Sequence, residues 1–280
     1  MRTRRSWRRA GASKLESASV FGLCFALVLV GCQPRSEAPP GKGAKGVSAA
    51  STDREGADGS HARAPEPEVP REETEPVRVE RLGDLEPAVF VVRGAKAGGR
   101  LVFLHGMCGH GLGYAQSFQH AAAKKGTLLA PQADVPCGAF GAKWSMDVKA
   151  LDQRIVAAFE RLGDSGPIED ICVIGMSQGA TRAAALARNY PERYTRLVSM
   201  GAPTEVKVAG LERLRAAVMM VGSRERKDLM LGSERALKRA GVPTTSIIIP
   251  DADHAAMGPH PEQTMDTVLD WLWENARPGK

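Results

Sequence analysis

The chain has 280 residues, 43% hydrophobic and 25% charged, with a formal charge of +6. Five cysteines in that length are too few for a disulfide-built miniprotein, and no apolar run supports a multi-span membrane protein. Residues 1–31 hold six of the 38 basic residues and one of the 32 acidic ones, which leaves 32 basic against 31 acidic elsewhere. The body of the chain is therefore near neutral, and nucleic acid is not an expected partner.

Residues 1–31 read as an export signal. Arg2, Arg4, Arg5, Arg8 and Arg9 form a positive n-region, and residues 20–30 form a short apolar h-region. Such a run makes about 17 Å of helix, short of a membrane span. It ends in Leu29-Val30-Gly31-Cys32, which resembles the lipobox of bacterial lipoproteins. The resemblance implies cleavage before Cys32 and attachment of lipid (palmitate among the acyl chains) to that residue. Thr3-Arg4-Arg5-Ser6-Trp7 also resembles a twin-arginine motif, and the export route is left open. Residues 33–76 contain seven Pro and five Gly and no Leu, Ile, Met, Phe, Tyr or Trp. They cannot bury enough apolar area to offset chain entropy and read, with Cys32, as a disordered tether over 32–76. Residues 77–280 remain as one folded unit.

Within that unit the pattern alternates. Short, nearly continuous apolar runs at 88–93, 101–104, 127–130, 170–175, 196–200, 217–221 and 245–249 predict strands covered on both faces. Between and after them, 114–124, 146–162, 178–190, 228–240 and 261–276 predict helices. The expected fold class is α/β, with a mostly parallel central sheet flanked by helices. Function in such sheets collects at the loops beyond the carboxyl ends of the strands.

Directly after the strand DICVIG stands Gly175-Met176-Ser177-Gln178-Gly179, followed by a helix rich in small residues. A G-x-S-x-G between strand and helix is the setting of a nucleophile elbow. The turn strains the serine backbone and crowds its neighbours, so glycine is needed on both sides, and the helix N-terminus favours developing negative charge. The segment GMSQGATRAAALARNYPERYTRLV resembles the elbow and helix of the α/β-hydrolase family, in particular its carboxylesterase/phospholipase-type members. The segment FLHGMCG…Y…APQ…C…W resembles secreted polyester depolymerases and feruloyl esterases.

The resemblance implies the rest of a catalytic constellation, with the chain order serine, acid, histidine. The family's base position falls on His254, in DADHAAMG after the last strand, ahead of His260 at the final helix; His61, His105, His110 and His120 stand elsewhere. Gly222-Ser223-Arg224-Glu225 resembles the family's G-x-x-D turn and points to Glu225 as the acid, with Asp228 as the alternative. Backbone N–H groups of Met107, in the loop His105-Gly106-Met107-Cys108-Gly109, and of Gln178 would form the oxyanion hole. His105, Cys108 and His110 in that loop are not read as a metal site, and no metal or organic cofactor is expected. With Cys24 removed, Cys32 lipidated and Cys172 inside an apolar strand, Cys108 and Cys137 are left to form a disulfide in an oxidising compartment.

The expected activity is a serine hydrolase cleaving carboxylic esters through an acyl-enzyme. The 16 residues between Met200 and Ala217 leave no room for a large cap, which fits small-molecule or polymeric esters. A peptidase or thioesterase of the same fold, or a catalytically degenerate surface lipoprotein with a binding or envelope role, are the alternatives. The lipid signal implies a membrane partner at the bacterial cell envelope, in an outer-membrane, periplasmic or surface location; no protein partner is indicated.

Overall fold

The structure is a computed structural model that describes residues 76–95, 98–164, 166–254 and 256–279. The export signal expected over 1–31, Cys32 with its lipid, and all but the last residue of the tether lie outside the described residues.

The chain runs β1 (Val79–Arg81), β2 (Val89–Val92), β3 (Gly99–Leu104), α1 (Gly111–Ser117), α2 (Gln119–Lys125) and β4 (Gly126–Pro131). Then come β5 (Val135–Cys137), β6 (Gly141–Lys143), α3 (Val148–Arg161), β7 (Ile171–Met176), α4 (Gln178–Asn189) and β8 (Tyr194–Met200). It ends with β9 (Ala216–Gly222), α5 (Asp228–Arg239), β10 (Thr244–Ile249) and α6 (Pro261–Glu274). Eight strands form one sheet in the order β1-β2-β4-β3-β7-β8-β9-β10. From β4 onward all neighbours are parallel, while β1 and β2 pair antiparallel at one edge. The expected α/β class with a mostly parallel sheet is what the chain adopts.

Side-chain alternation divides the core into two layers. Val102, Leu104, Val173, Met219 and Val221 face α3, α4 and α5 through Ile155, Phe159, Leu186 and Leu237. Leu101, Phe103, Cys172, Ile174, Val218 and Met220 face α1, α2 and α6 through Ala115, Phe118, Val268 and Leu272. Both faces of each central strand are thus sealed, which explains apolar runs with no polar interruption. Burial pushes the Cys172 thiol up to about 12, so it is an inert part of this packing.

The structure departs from the sequence reading in local detail. The helix expected at 114–124 is two helices, broken at Phe118 (φ −140°, ψ 33°), which turns that ring fully inward against Phe103. The helix expected from 146 starts at Val148, with the Asp147 carboxylate accepting from the Ala150 N–H at 2.9 Å. The short strands β1, β5 and β6 were not expected; at three residues each they carry too little pattern to detect.

The β5–β6 hairpin lies against the loop that follows β3. Cys108 and Cys137 are joined by a disulfide, Gly109 bridges to Ala142, and the Ala142 N–H donates to the Gly109 carbonyl at 3.2 Å. A Cβ on Gly141 would meet the Cys108 carbonyl oxygen at 2.1 Å, so only glycine permits this approach.

His105 anchors the same loop from beneath and is fully buried. Its Nε2 accepts from the Ala133 N–H at 3.1 Å, which leaves Nδ1–H to donate to the Gly106 carbonyl at 2.7 Å. The ring is therefore neutral, and burial lowers its pKa to about 4. A histidine with a lowered folded pKa adds no pH dependence above its unfolded value near 6.5. Between there and about 4 the unfolded chain takes up a proton that the folded one does not, so stability falls with pH. At about 1.4 kcal/mol per pKa unit the loss is about 3 kcal/mol at its limit. The urea midpoint should fall between pH 7 and pH 4, and His105→Gln, which cannot titrate, should flatten that fall. An identical pH profile in both proteins would contradict this account of the ring.

Candidate active site

β7 delivers the chain to the carboxyl edge of the sheet, and α4 begins one residue later. The residue between them, Ser177, has φ 53° and ψ −116°, a conformation that costs a non-glycine residue of order 1–3 kcal/mol. Its N–H donates to the Met200 carbonyl at 2.8 Å, which fixes the turn to the end of β8. A Cβ on Gly175 would lie 2.3 Å from the Gly179 carbonyl oxygen, and one on Gly179 would lie 2.0 Å from the Leu104 carbonyl oxygen. Both glycines are required by backbone contact, and Ser177 is left at the apex.

His254 comes from the loop between β10 and α6, and Glu225 from the turn between β9 and α5. These loops are stitched together: the Ser223 N–H donates to the Ile249 carbonyl at 2.9 Å, and the Arg224 N–H to that of Ala252 at 3.1 Å. The Ser177 Oγ stands 2.9 Å from His254 Nε2, and His254 Nδ1 stands 2.6 Å from Glu225 Oε1. The second Glu225 oxygen accepts from the Gly222 N–H at 2.9 Å, which fixes the plane of the carboxylate. With a carboxylate on Nδ1, that nitrogen carries the proton and Nε2 is the acceptor for the serine hydroxyl.

The other titratable candidates are placed elsewhere. Asp228 opens α5 and pairs with Arg226 at 2.7 Å, a hydrogen bond that lowers its pKa. His260 is the N-cap residue of α6, and His110 caps α1 by accepting from the Leu112 N–H at 3.2 Å. His120 sits in α2, and His61 lies outside the described residues. In the loop after β3, the Cys108 sulfur is in a disulfide and both His105 nitrogens are engaged, so that His-Cys-His grouping has no donor set to offer a metal.

The same loop lies against the serine: a Cβ on Gly106 would stand 3.3 Å from Ser177 Cβ and 3.9 Å from its Oγ. The Gly106 carbonyl accepts from His105 Nδ1 and from the Gly109 N–H at 3.0 Å. A trans peptide is planar, so holding that carbonyl turns the Met107 N–H of the same unit the opposite way. Gln178 begins α4, where the first N–H groups have no intrahelical acceptor. An apolar recess of about 270 Å³, lined in part by Ala202, Pro203, Leu229 and Met230, opens beside His254 and Glu225.

The sequence reading gave no role to Trp144, the W of the depolymerase-like segment, or to the side chain of Gln178. The Gln178 amide accepts from the Trp144 N–H at 3.0 Å and donates to the Trp144 carbonyl at 3.2 Å. The buried Trp144 indole N–H donates to the His105 carbonyl at 2.7 Å. The tryptophan was visible in the chain, but nothing local signalled contacts 34 and 39 residues away.

No protein-family model and no curated protein matches the chain. Solved structures do. The chain is similar to the Staphylococcus aureus fluorophosphonate-binding serine hydrolase F at 15% identity and a TM-score of 0.52, covering 66% of this chain and 91% of that one. It is similar to a Rhizomucor miehei esterase at 16% identity and a TM-score of 0.53, covering 67% and 79% respectively. It is also similar to a bacterial membrane phospholipase A at 14% identity and a TM-score of 0.51, covering 71% and 86%. At these identities the likeness is one of architecture, and with the sheet order above it gives the chain the α/β-hydrolase fold.

Proposed function

We propose that the chain is a serine hydrolase that cleaves carboxylic esters through an acyl-enzyme. The observation that carries this reading is the unbroken relay Ser177 Oγ–His254 Nε2 and His254 Nδ1–Glu225 Oε1, at 2.9 and 2.6 Å. A buried or surface histidine with a purely structural role has no need of a strained serine on one nitrogen and a fixed carboxylate on the other.

In this reaction Ser177 Oγ attacks the ester carbonyl carbon as His254 Nε2 takes the hydroxyl proton, and the Glu225 carboxylate stabilises the imidazolium. The N–H groups of Met107 and Gln178 donate to the tetrahedral oxyanion. Collapse breaks the carbon–oxygen bond to the alcohol, which leaves with the proton from His254. Water then attacks the acyl-enzyme, gives its proton to His254, and the acid departs as Ser177 regains a hydrogen. No step draws on a metal or an organic cofactor.

Residues 201–215, between β8 and β9, carry no helix, and Val206, Leu211 and Leu214 among them are buried in the core. The His254 side chain is 54% exposed, so the site opens outward. Met107, in the loop against Ser177, and Met146, in the segment bonded to Gln178, are both exposed and favour an apolar ester, small or polymeric. The relay also fits a thioesterase or peptidase. The ester reading is preferred for the open mouth and its apolar rim, whereas a solely binding or envelope role leaves the relay unexplained.

On p-nitrophenyl esters of increasing acyl length, Ser177→Ala and His254→Ala should each lower kcat by several orders of magnitude, since such residues act as a unit. Glu225→Gln should lower it substantially and Asp228→Asn should leave it near wild type. Activity within tenfold of wild type in either of the first two variants would overturn the mechanism; the reverse pattern in the last two would transfer the acid role to Asp228.

We further propose that the protein is held at the bacterial cell envelope by lipid on Cys32, in an outer-membrane, periplasmic or surface location. The lipobox-like Leu29-Val30-Gly31-Cys32 motivates this, and the Cys108–Cys137 disulfide supports residence in an oxidising compartment. Cys32→Ala should move the protein from the membrane fraction to the soluble fraction with its esterase activity retained. An unmodified N-terminus in the intact mass of the wild-type protein would contradict it.

A further inference from the structure

We infer that Trp144 is a positioning residue for the oxyanion hole, spanning its two halves and setting the distance between them. The inference rests on the esterase reading above and adds to it a residue that neither touches substrate nor belongs to the relay.

The two donors come from separate parts of the chain. Met107 sits in the loop after β3, and Gln178 at the first turn of α4. Their N–H groups must converge on one oxygen atom, and a donor displaced by a fraction of an ångström loses much of its effect on the transition state. Trp144 bonds to both halves. On the loop side its indole N–H donates to the His105 carbonyl at 2.7 Å, and the indole packs on the His105 ring with centroids 4.9 Å apart. On the helix side its backbone N–H and carbonyl form a two-point pair with the Gln178 side-chain amide, at 3.0 and 3.2 Å.

Each bond acts on a peptide unit next to the site. The indole holds the His105–Gly106 peptide by its oxygen, while the His105 ring holds the following Gly106–Met107 peptide by its oxygen. Two successive rigid planes fixed in this way leave the Met107 N–H little freedom. The Gln178 amide ties the residue that supplies the second donor to the same tryptophan. Trp144 is 4% exposed, so a hydrogen bond lost there is not replaced by bulk water. An apolar residue of similar size would keep the two backbone bonds to Gln178 but lose the indole bond to the His105 carbonyl, so only the indole N–H joins the loop to the helix through this side chain.

The test uses Trp144→Phe, which keeps an aromatic ring and removes the indole donor, and Gln178→Met, which keeps the backbone donor and removes both side-chain bonds. For each, kcat and KM on a p-nitrophenyl ester, the inhibition constant of an aryl trifluoromethyl ketone and the Tm are measured. The ketone adds Ser177 Oγ to its carbonyl carbon, passes the serine proton to His254 and leaves an oxyanion in the hole, so its affinity reports the donors directly. We expect kcat to fall by about 10- to 100-fold, less than deleting a donor outright. KM should change less than threefold, and the ketone should weaken by a factor matching the loss in kcat.

Folded variants with kcat within threefold of wild type, or a loss of kcat with unchanged ketone affinity, would overturn the inference. Should Trp144→Phe not fold, Gln178→Met gives the same readouts alone. Wild-type protein that hydrolyses no ester overturns the esterase reading and this inference together; an active wild type with unaffected variants overturns this inference only.

Discussion

The backbone of Ser177 is the constraint around which the rest of the molecule is arranged. A non-glycine residue at φ 53° is held there only if its surroundings leave no easier path, and three contacts do so. The bond from its N–H to Met200 ties the turn to β8, while the bare Cα of Gly175 lets the first turn of α4 close over β7. The bare Cα of Gly179 lets that same turn press on the end of β3. Relaxing the serine would require lifting α4 off the sheet, where Ala183, Leu186 and Ala187 are buried in the core. The packing energy of a whole helix thus holds one strained dihedral pair. The hydroxyl is presented at the edge where the loops after β3, β9 and β10 also arrive.

Those loops are held together before any ligand is present. The Glu225 turn and the His254 loop share backbone hydrogen bonds, and a Cβ on Gly222 would meet the Ala252 carbonyl oxygen at 2.3 Å, so the two cannot separate without breaking several contacts. The β3 loop is fastened by a buried neutral histidine, a disulfide and a bridge to the β5–β6 hairpin. Rigid placement of this sort is what lets fixed dipoles act on a developing charge without reorganising at the moment of reaction.

Much of this was legible in the chain because its causes are local. Glycine on both sides of Ser177 reports a steric demand within five residues, and uninterrupted apolar runs such as DICVIG report burial on two faces. Glu225 and Asp228 were nearly equivalent on the page, since three positions separate them in a run of charges. What distinguishes them is the Gly222 N–H and the position of His254, neither visible without the fold. Trp144 and the Gln178 amide were illegible for the same reason: their partners are remote in sequence and their residue types have many ordinary uses. The break at Phe118 was hidden because a buried aromatic there continues the helical pattern that the backbone abandons.

The central claim is that Ser177 is an activated nucleophile, and covalent labelling tests it most directly. Purified protein treated with a fluorophosphonate should gain one adduct per chain, with loss of fluoride, and peptide mass mapping should place it on Ser177. Labelling should disappear in Ser177→Ala and slow greatly in His254→Ala. An unlabelled wild-type protein, or an adduct mapped to another residue, would contradict the account.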